Sequence, residues 1–183
     1  MGATTTTPVL TFEEFERLPD IPGKRELLEG ELIEIPPAKF SHNFSAETMY
    51  NLLREALQAA YSREVAKEPG RVHHEMGYKL SDNSYVEPDV SVTLANQPTQ
   101  DYLGGAPAIA VEIISPSNTV VEMDLKTQLY FQHGAREVWR VYPKTGHVTV
   151  HLPGKSHDIG EDAMLTTSLL PGLSLNVRQP LGV

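Results

Sequence analysis

Between about Ser41 and Tyr61 the apolar positions Met49, Leu52, Leu53, Ala56 and Ala60 recur at helical spacing, the strongest helix signal in the chain. A second helix is predicted over Thr119–His133. Thr119 with Glu122 three residues on forms a capping-box pattern, and Gly134 suits the position just past the end. Thr11 and Glu14 repeat the capping pattern at the head of "TFEEFERL", a short helix over Thr11–Leu18. The intervening segments favour strands. "KRELLEGELIEIP" (Lys24–Pro36) reads as a hairpin around Glu29-Gly30, and "EVWRVYP" with "HVTVHLP" as another across Lys144-Thr145-Gly146. "REVAKEPGRVHHEMGYKL" reads as strands broken at Pro69-Gly70, and "PDVSVTL" and "AIAVEII" as two apolar strands separated by a polar loop containing glycine. From about Asp158 the tail is short strand and turn material. This order predicts an α/β fold: a mixed sheet with helices packed on it and β-hairpins near both ends.

The 183 residues suit one domain, residues 1–183, with the first ten expected to be flexible. Hydrophobic content of 40% with 21% charged residues is that of a soluble globular protein, and no apolar run approaches the roughly 20 residues of a membrane span. A cytoplasmic location is the default expectation. "MGATTT" formally matches a myristoylation pattern, and "NFS" at Asn43 a glycosylation acceptor that matters only in a secreted protein. With no cysteines there is neither a disulfide framework nor a thiolate ligand or nucleophile. The net charge of −9 argues against tight non-specific binding of nucleic acid, although carboxylates gathered around cations also count as negative in a sequence.

Glu112 lies in the middle of the apolar run "AIAVEIISPSN". A buried carboxylate costs several kcal/mol unless something pairs with it. Asp89 follows Pro88 at the head of the preceding strand, so neighbouring strands would bring both acids to one face. Such a pair repels itself unless a cation lies between, and a hard ion such as Mg²⁺ suits that oxygen-rich setting. The alternative is that Asp89 caps a turn and Glu112 pairs with an arginine. Lys126 is seven residues past Thr119, about 10 Å along its helix, and comes level with Glu112 if that helix folds back over the sheet. It could then orient water or stabilise charge on a phosphate. Against this, Glu122 and Lys126 have the i, i+4 order of an ordinary exposed ion pair.

"RELLEGELIEIPPAKFSH", "EPDVSV", "VEIISPSN" and "EMDLKTQLYFQHGAREVWRVYP" together resemble the Uma2 family, also called DUF820, which is placed among the PD-(D/E)XK restriction-endonuclease-like proteins. The resemblance runs from about Thr11 to "LPGLSL". It implies a restriction-endonuclease-like mixed sheet with flanking helices, Asp89 as the motif aspartate and Glu112 as the following acid. Ile114 stands where the superfamily usually has its lysine, and Lys126 looks like the displaced lysine the family uses instead. Glu26 resembles an acid contributed from the first helix or adjoining strand, with a surface strand glutamate as the alternative. His42 resembles a histidine common in the family, one that would line the cleft and contact substrate phosphate or remain a surface residue. The implied cofactor is Mg²⁺ (or Mn²⁺) held by Asp89, Glu112 and the Ile113 carbonyl, and the implied substrate is nucleic acid, DNA ahead of RNA. A homodimer fits duplex cleavage.

Other residues carry less. His73 and His74 would face opposite sides of a strand and cannot easily grip one metal. Ser115 and Ser117 are expected to satisfy backbone groups in a turn, and no G-x-S-x-G elbow surrounds them. Trp139 is expected in the core or a subunit contact rather than as a base-stacking platform. Three readings stand: a metal-dependent nuclease, a binding or regulatory module that keeps the fold without catalysis, and a two-carboxylate hydrolase of another substrate.

Overall fold

The computed structural model describes residues 9–63 and 69–181. The myristoylation pattern and most of the expected flexible N-terminus lie outside these residues, but Leu10 is tied by its N–H to Gly30 O at 2.9 Å. In chain order the elements are α1 (Phe12–Glu16), β1 (Lys24–Leu28), β2 (Glu31–Ile35), α2 (Phe40–Ser62), β3 (Pro69–His74), β4 (Tyr78–Ser81), β5 (Ser84–Val86), β6 (Val90–Leu94), β7 (Leu103–Gly104) and β8 (Ile109–Ile113). There follow α3 (Val120–Gln132), β9 (Glu137–Tyr142), β10 (His147–Leu152), β11 (Lys155–Gly160), β12 (Met164–Leu165), β13 (Leu175–Asn176) and α4 (Arg178–Leu181).

Two mixed sheets organise them. One has the order β2-β1-β5-β4-β7 and the other β11-β10-β9-β8-β6-β3, while β12 and β13 form a small ladder. The β1–β2 turn works because Glu29 (φ 51°) and Gly30 (φ 85°) both take left-handed backbone, the requirement of the tightest hairpin turn. Both helix caps read from the sequence form with reciprocal bonds, Thr11 with Glu14 and Thr119 with Glu122.

Burial on β8 follows strand alternation. Ile109, Val111 and Ile113 join Met49, Leu53 and Leu57 of α2 and Trp139 and Val141 of β9 in the larger core. Ala110 on the opposite face packs with Leu129 and Tyr130 of α3 and Val86 of β5 in a second core. With both faces covered, every residue of β8 is buried, and each fully buried aliphatic side chain contributes about 1.5–3 kcal/mol. Trp139 is entirely buried, which places it in the core.

Two expectations change in the structure. Pro69 is the first described residue of β3, and the strand expected before it, over residues 64–68, lies outside the described residues. Among the described residues the break between β3 and β4 falls at Glu75–Gly77, where Glu75 has φ 46°. The loop between β6 and β8 also contains β7, which pairs in parallel with β4.

Candidate active site

Strand β5 belongs to one sheet and β6 to the other, and the chain crosses between them through Glu87-Pro88-Asp89. The candidate site is built on this crossing. Val90 stands opposite Val111 in the antiparallel β6–β8 pair, so the register carries Asp89 to Glu112. Asp89 Oδ2 accepts the Ile113 N–H at 2.7 Å and lies 3.2 Å from His42 Nε2 at the start of α2. Asp89 Oδ1 accepts from Lys24 Nζ at 2.9 Å. Lys24 and Glu26 alternate on β1 and face the same crossing. Lys24 donates to Glu87 O at 3.0 Å, while Glu26 Oε1 accepts the Glu87 N–H at 2.8 Å.

Helix α3 supplies the other side. Lys126 Nζ reaches Glu112 Oε1 at 2.8 Å and Glu26 Oε1 at 2.9 Å, and Tyr130, one turn on, donates its hydroxyl to Glu112 Oε1 at 2.7 Å. The surface-pair alternative for Lys126 fails on its intended partner. Glu122 spends its carboxylate on the Thr119 N–H and hydroxyl, and Lys126 is only 5% exposed. The arginine alternative for Glu112 fails as well. Arg140 is its register partner on β9, yet its guanidinium goes to α3 at Met123 O, Thr127 Oγ1 and Asp124 Oδ1. Glu26 is 1% exposed, so it is not a surface glutamate. The structure therefore brings Glu26, Asp89, Glu112, Ile113, Lys126 and His42 together.

Sequence reasoning missed Lys24 and Tyr130. Both had a signal: Lys24 is two residues from Glu26 on a strand, and Tyr130 is four residues from Lys126 on a helix, so each shares a face with a residue already singled out.

Three buried carboxylates, Glu26, Asp89 and Glu112, here face Lys24, Lys126 and the half-buried His42. Burial, with Asp89 and Glu26 adding to it, pushes the Glu112 carboxyl up despite Lys126. Burial also opposes ionisation of Asp89, but Lys24, His42 and the Ile113 N–H outweigh it and hold its carboxyl far below the usual range. Burial would lower both lysines, but Glu112 and Glu26 hold Lys126 raised, and Asp89 leads the carboxylates that do the same for Lys24. The hydrogen bond to Asp89 raises His42.

These groups line a cleft of about 880 Å³, rimmed by Lys39, Lys144 and the turn after β8. Asn118 builds that turn: its Oδ1 accepts both the N–H and the hydroxyl of Ser115, and the Ser115 and Ser117 hydroxyls bond each other. Phe40 projects beside the rim at 85% exposure, with Phe44 next to it.

Among the described residues no three His, Asp or Glu side chains form a ready cation cage. The donor chemistry nonetheless fits a hard divalent ion. Both contacts to Glu112 use Oε1, leaving its second oxygen for a further ligand. In an extended strand a residue's N–H and C=O leave on the same side, so the Ile113 carbonyl faces the side to which its N–H bonds Asp89.

The site thus sits on a mixed α/β fold, with two acids on adjoining strand ends and a lysine from the next helix. The chain belongs to the Uma2 family: the family model, described as "Putative restriction endonuclease", matches residues 12–178. Among solved structures, a putative nuclease belonging to DUF820 from Anabaena variabilis ATCC 29413 superposes with a TM-score of 0.79 at 21% identity, covering 94% of this chain and 98% of that one. No curated protein matches. Among the described residues no helix is long and apolar enough to cross a membrane.

Proposed function

We propose that the protein is a metal-dependent nuclease that hydrolyses phosphodiester bonds in nucleic acid, DNA ahead of RNA, and acts as a homodimer in the cytoplasm. The observation that carries this reading is Lys126 Nζ, buried between Glu112 and Glu26 in a cleft that also receives Asp89. Asp89, Glu112 and the Ile113 carbonyl would hold Mg²⁺ or Mn²⁺. When bound, such an ion supplies positive charge to the scissile phosphate and makes water more acidic. Lys126, kept protonated by its two glutamates, is fit to orient water and to stabilise charge developing on the phosphate. Glu26 positions Lys126, and His42 positions Asp89. Tyr130 holds Glu112 in one rotamer by its hydroxyl.

One observation favours a second reading, a binding or regulatory module that keeps the fold without catalysis: both oxygens of Asp89 already have partners. Cleavage of DNA and RNA with Mg²⁺ or Mn²⁺ separates the two. The native chain is expected to cleave, and Asp89→Asn and Lys126→Ala, folded by circular dichroism, to lose that cleavage. A native protein that cleaves no substrate moves the reading to the module, and cleavage that survives both substitutions removes these residues from the chemistry.

A further inference from the structure

Lys24 has no part in the chemistry outlined above, yet it is the closest cation to Asp89. It is the first residue of β1, its side chain is 17% exposed, and it lines the cleft. Its ammonium lies 2.9 Å from Asp89 Oδ1 and 3.0 Å from Glu87 O. A Mg²⁺ ion bound directly to Asp89 sits at about 2.0–2.1 Å from the carboxylate oxygen. With the ammonium still on Oδ1, both cations would then lie within a few ångströms of each other in a poorly solvated site, where like charges repel strongly.

We infer that Lys24 is an internal counter-ion that holds Asp89 in the metal-free protein and leaves it when a divalent ion binds. The inference rests on the metal-dependent reading of this site and adds a regulation to it. The geometry supports exchange rather than permanent occupation. Lys24 reaches Asp89 on a flexible four-carbon stem that is 17% exposed, whereas the Lys126 side chain is 7% exposed and is held by both Glu112 and Glu26. The lysine thus keeps Asp89 paired when no ion is present and weakens the apparent affinity for the ion by competing with it.

The test is Mn²⁺ binding, followed by electron paramagnetic resonance and calorimetry, on the native chain, Lys24→Met, Lys24→Arg and Asp89→Asn. Lys24→Met is expected to bind on the order of tenfold tighter than native, the scale of one charge-assisted hydrogen bond. Lys24→Arg is expected to stay near native, and Asp89→Asn to lose the ion. Equal or weaker binding by Lys24→Met overturns the inference and leaves the metal reading standing. Absence of Mn²⁺ binding by both native and Lys24→Met overturns the metal reading as well. Binding by Lys24→Met alone supports the exchange in its strongest form. The native chain gives a check that needs no variant. Reductive methylation followed by mass spectrometry is expected to modify Lys24 faster with Mn²⁺ than without it, and an unchanged rate sinks the exchange.

Discussion

Glu112 on β8 and Arg140 on β9 are register partners on one face of the same sheet, both buried, both charged, and they turn to different neighbours. Arg140 spends its guanidinium on the backbone and side chains of α3, at 2.6 Å from Met123 O and 2.7 Å from Thr127 Oγ1. Glu112 takes Lys126 and Tyr130 from the same helix but also borders the cleft and two further carboxylates. One region clamps the helix, and the other gathers the acids of the cleft. The clamp ties α3 to β9 through Met123, Asp124 and Thr127 and makes no contact with Lys126 or Glu112 among those bonds.

The comparison can be broken most directly at Lys126. Lys126→Met is expected to lower the cleavage rate on the order of 10²–10³-fold, the scale of losing one preorganised cationic donor. It should also cost about 3–5 kcal/mol in urea unfolding, since two buried carboxylates lose their partner. Near-native stability would mean that Glu112 and Glu26 are less enclosed than they look. Arg140→Met comes next, at about 2–3 kcal/mol from three lost hydrogen bonds, with cleavage per folded molecule close to native. A collapse of cleavage without a loss of stability would merge the two regions into one.

Tyr130→Phe removes a single donor from Glu112 and is expected to cost about 1 kcal/mol in the same unfolding measurement. The smallest effect sharpens the contrast through two partly exposed histidines of opposite sign. The bond to Asp89 raises His42, so its contribution is present below the ordinary 6.5 and lost as pH rises through the raised folded value. Burial and then Arg140 lower His151, so its contribution is present above 6.5 and lost as pH falls through the lowered value. In metal-free melting curves, His42→Asn should flatten the alkaline decline and His151→Asn the acid one. The same slope change from both variants would contradict the assignment.

The sequence displayed the residues that lie in strong local patterns. Glu112 was conspicuous as an acid inside an apolar strand, Asp89 through its place before another, and Lys126 through the capped helix that set its distance. The α2 stripe and both hairpins were legible because period and turn chemistry are local. Glu26 and His42 came from the family resemblance, since neither a strand glutamate nor a histidine near a helix start is distinctive by itself. Lys24 looked like an ordinary lysine opening a hairpin, because its partner lies 65 residues away, at the crossing between the sheets. The two-sheet division and β7 were hidden for the same reason: pairing of β4 with β7 and of β1 with β5 is non-local.

The crossing at Glu87-Pro88-Asp89 has a consequence for the order in which the molecule matures. Its ties span 61 residues from Glu26 to Glu87, 65 from Lys24 to Asp89 and 100 from Glu26 to Lys126. Contacts of such separation require large loops to close and are favoured only after much of the chain has condensed. A nascent or half-folded chain therefore carries scattered acids and lysines but no assembled cluster. The complete cluster therefore assembles only once the two sheets have docked, and an immature molecule holds its parts far from one another.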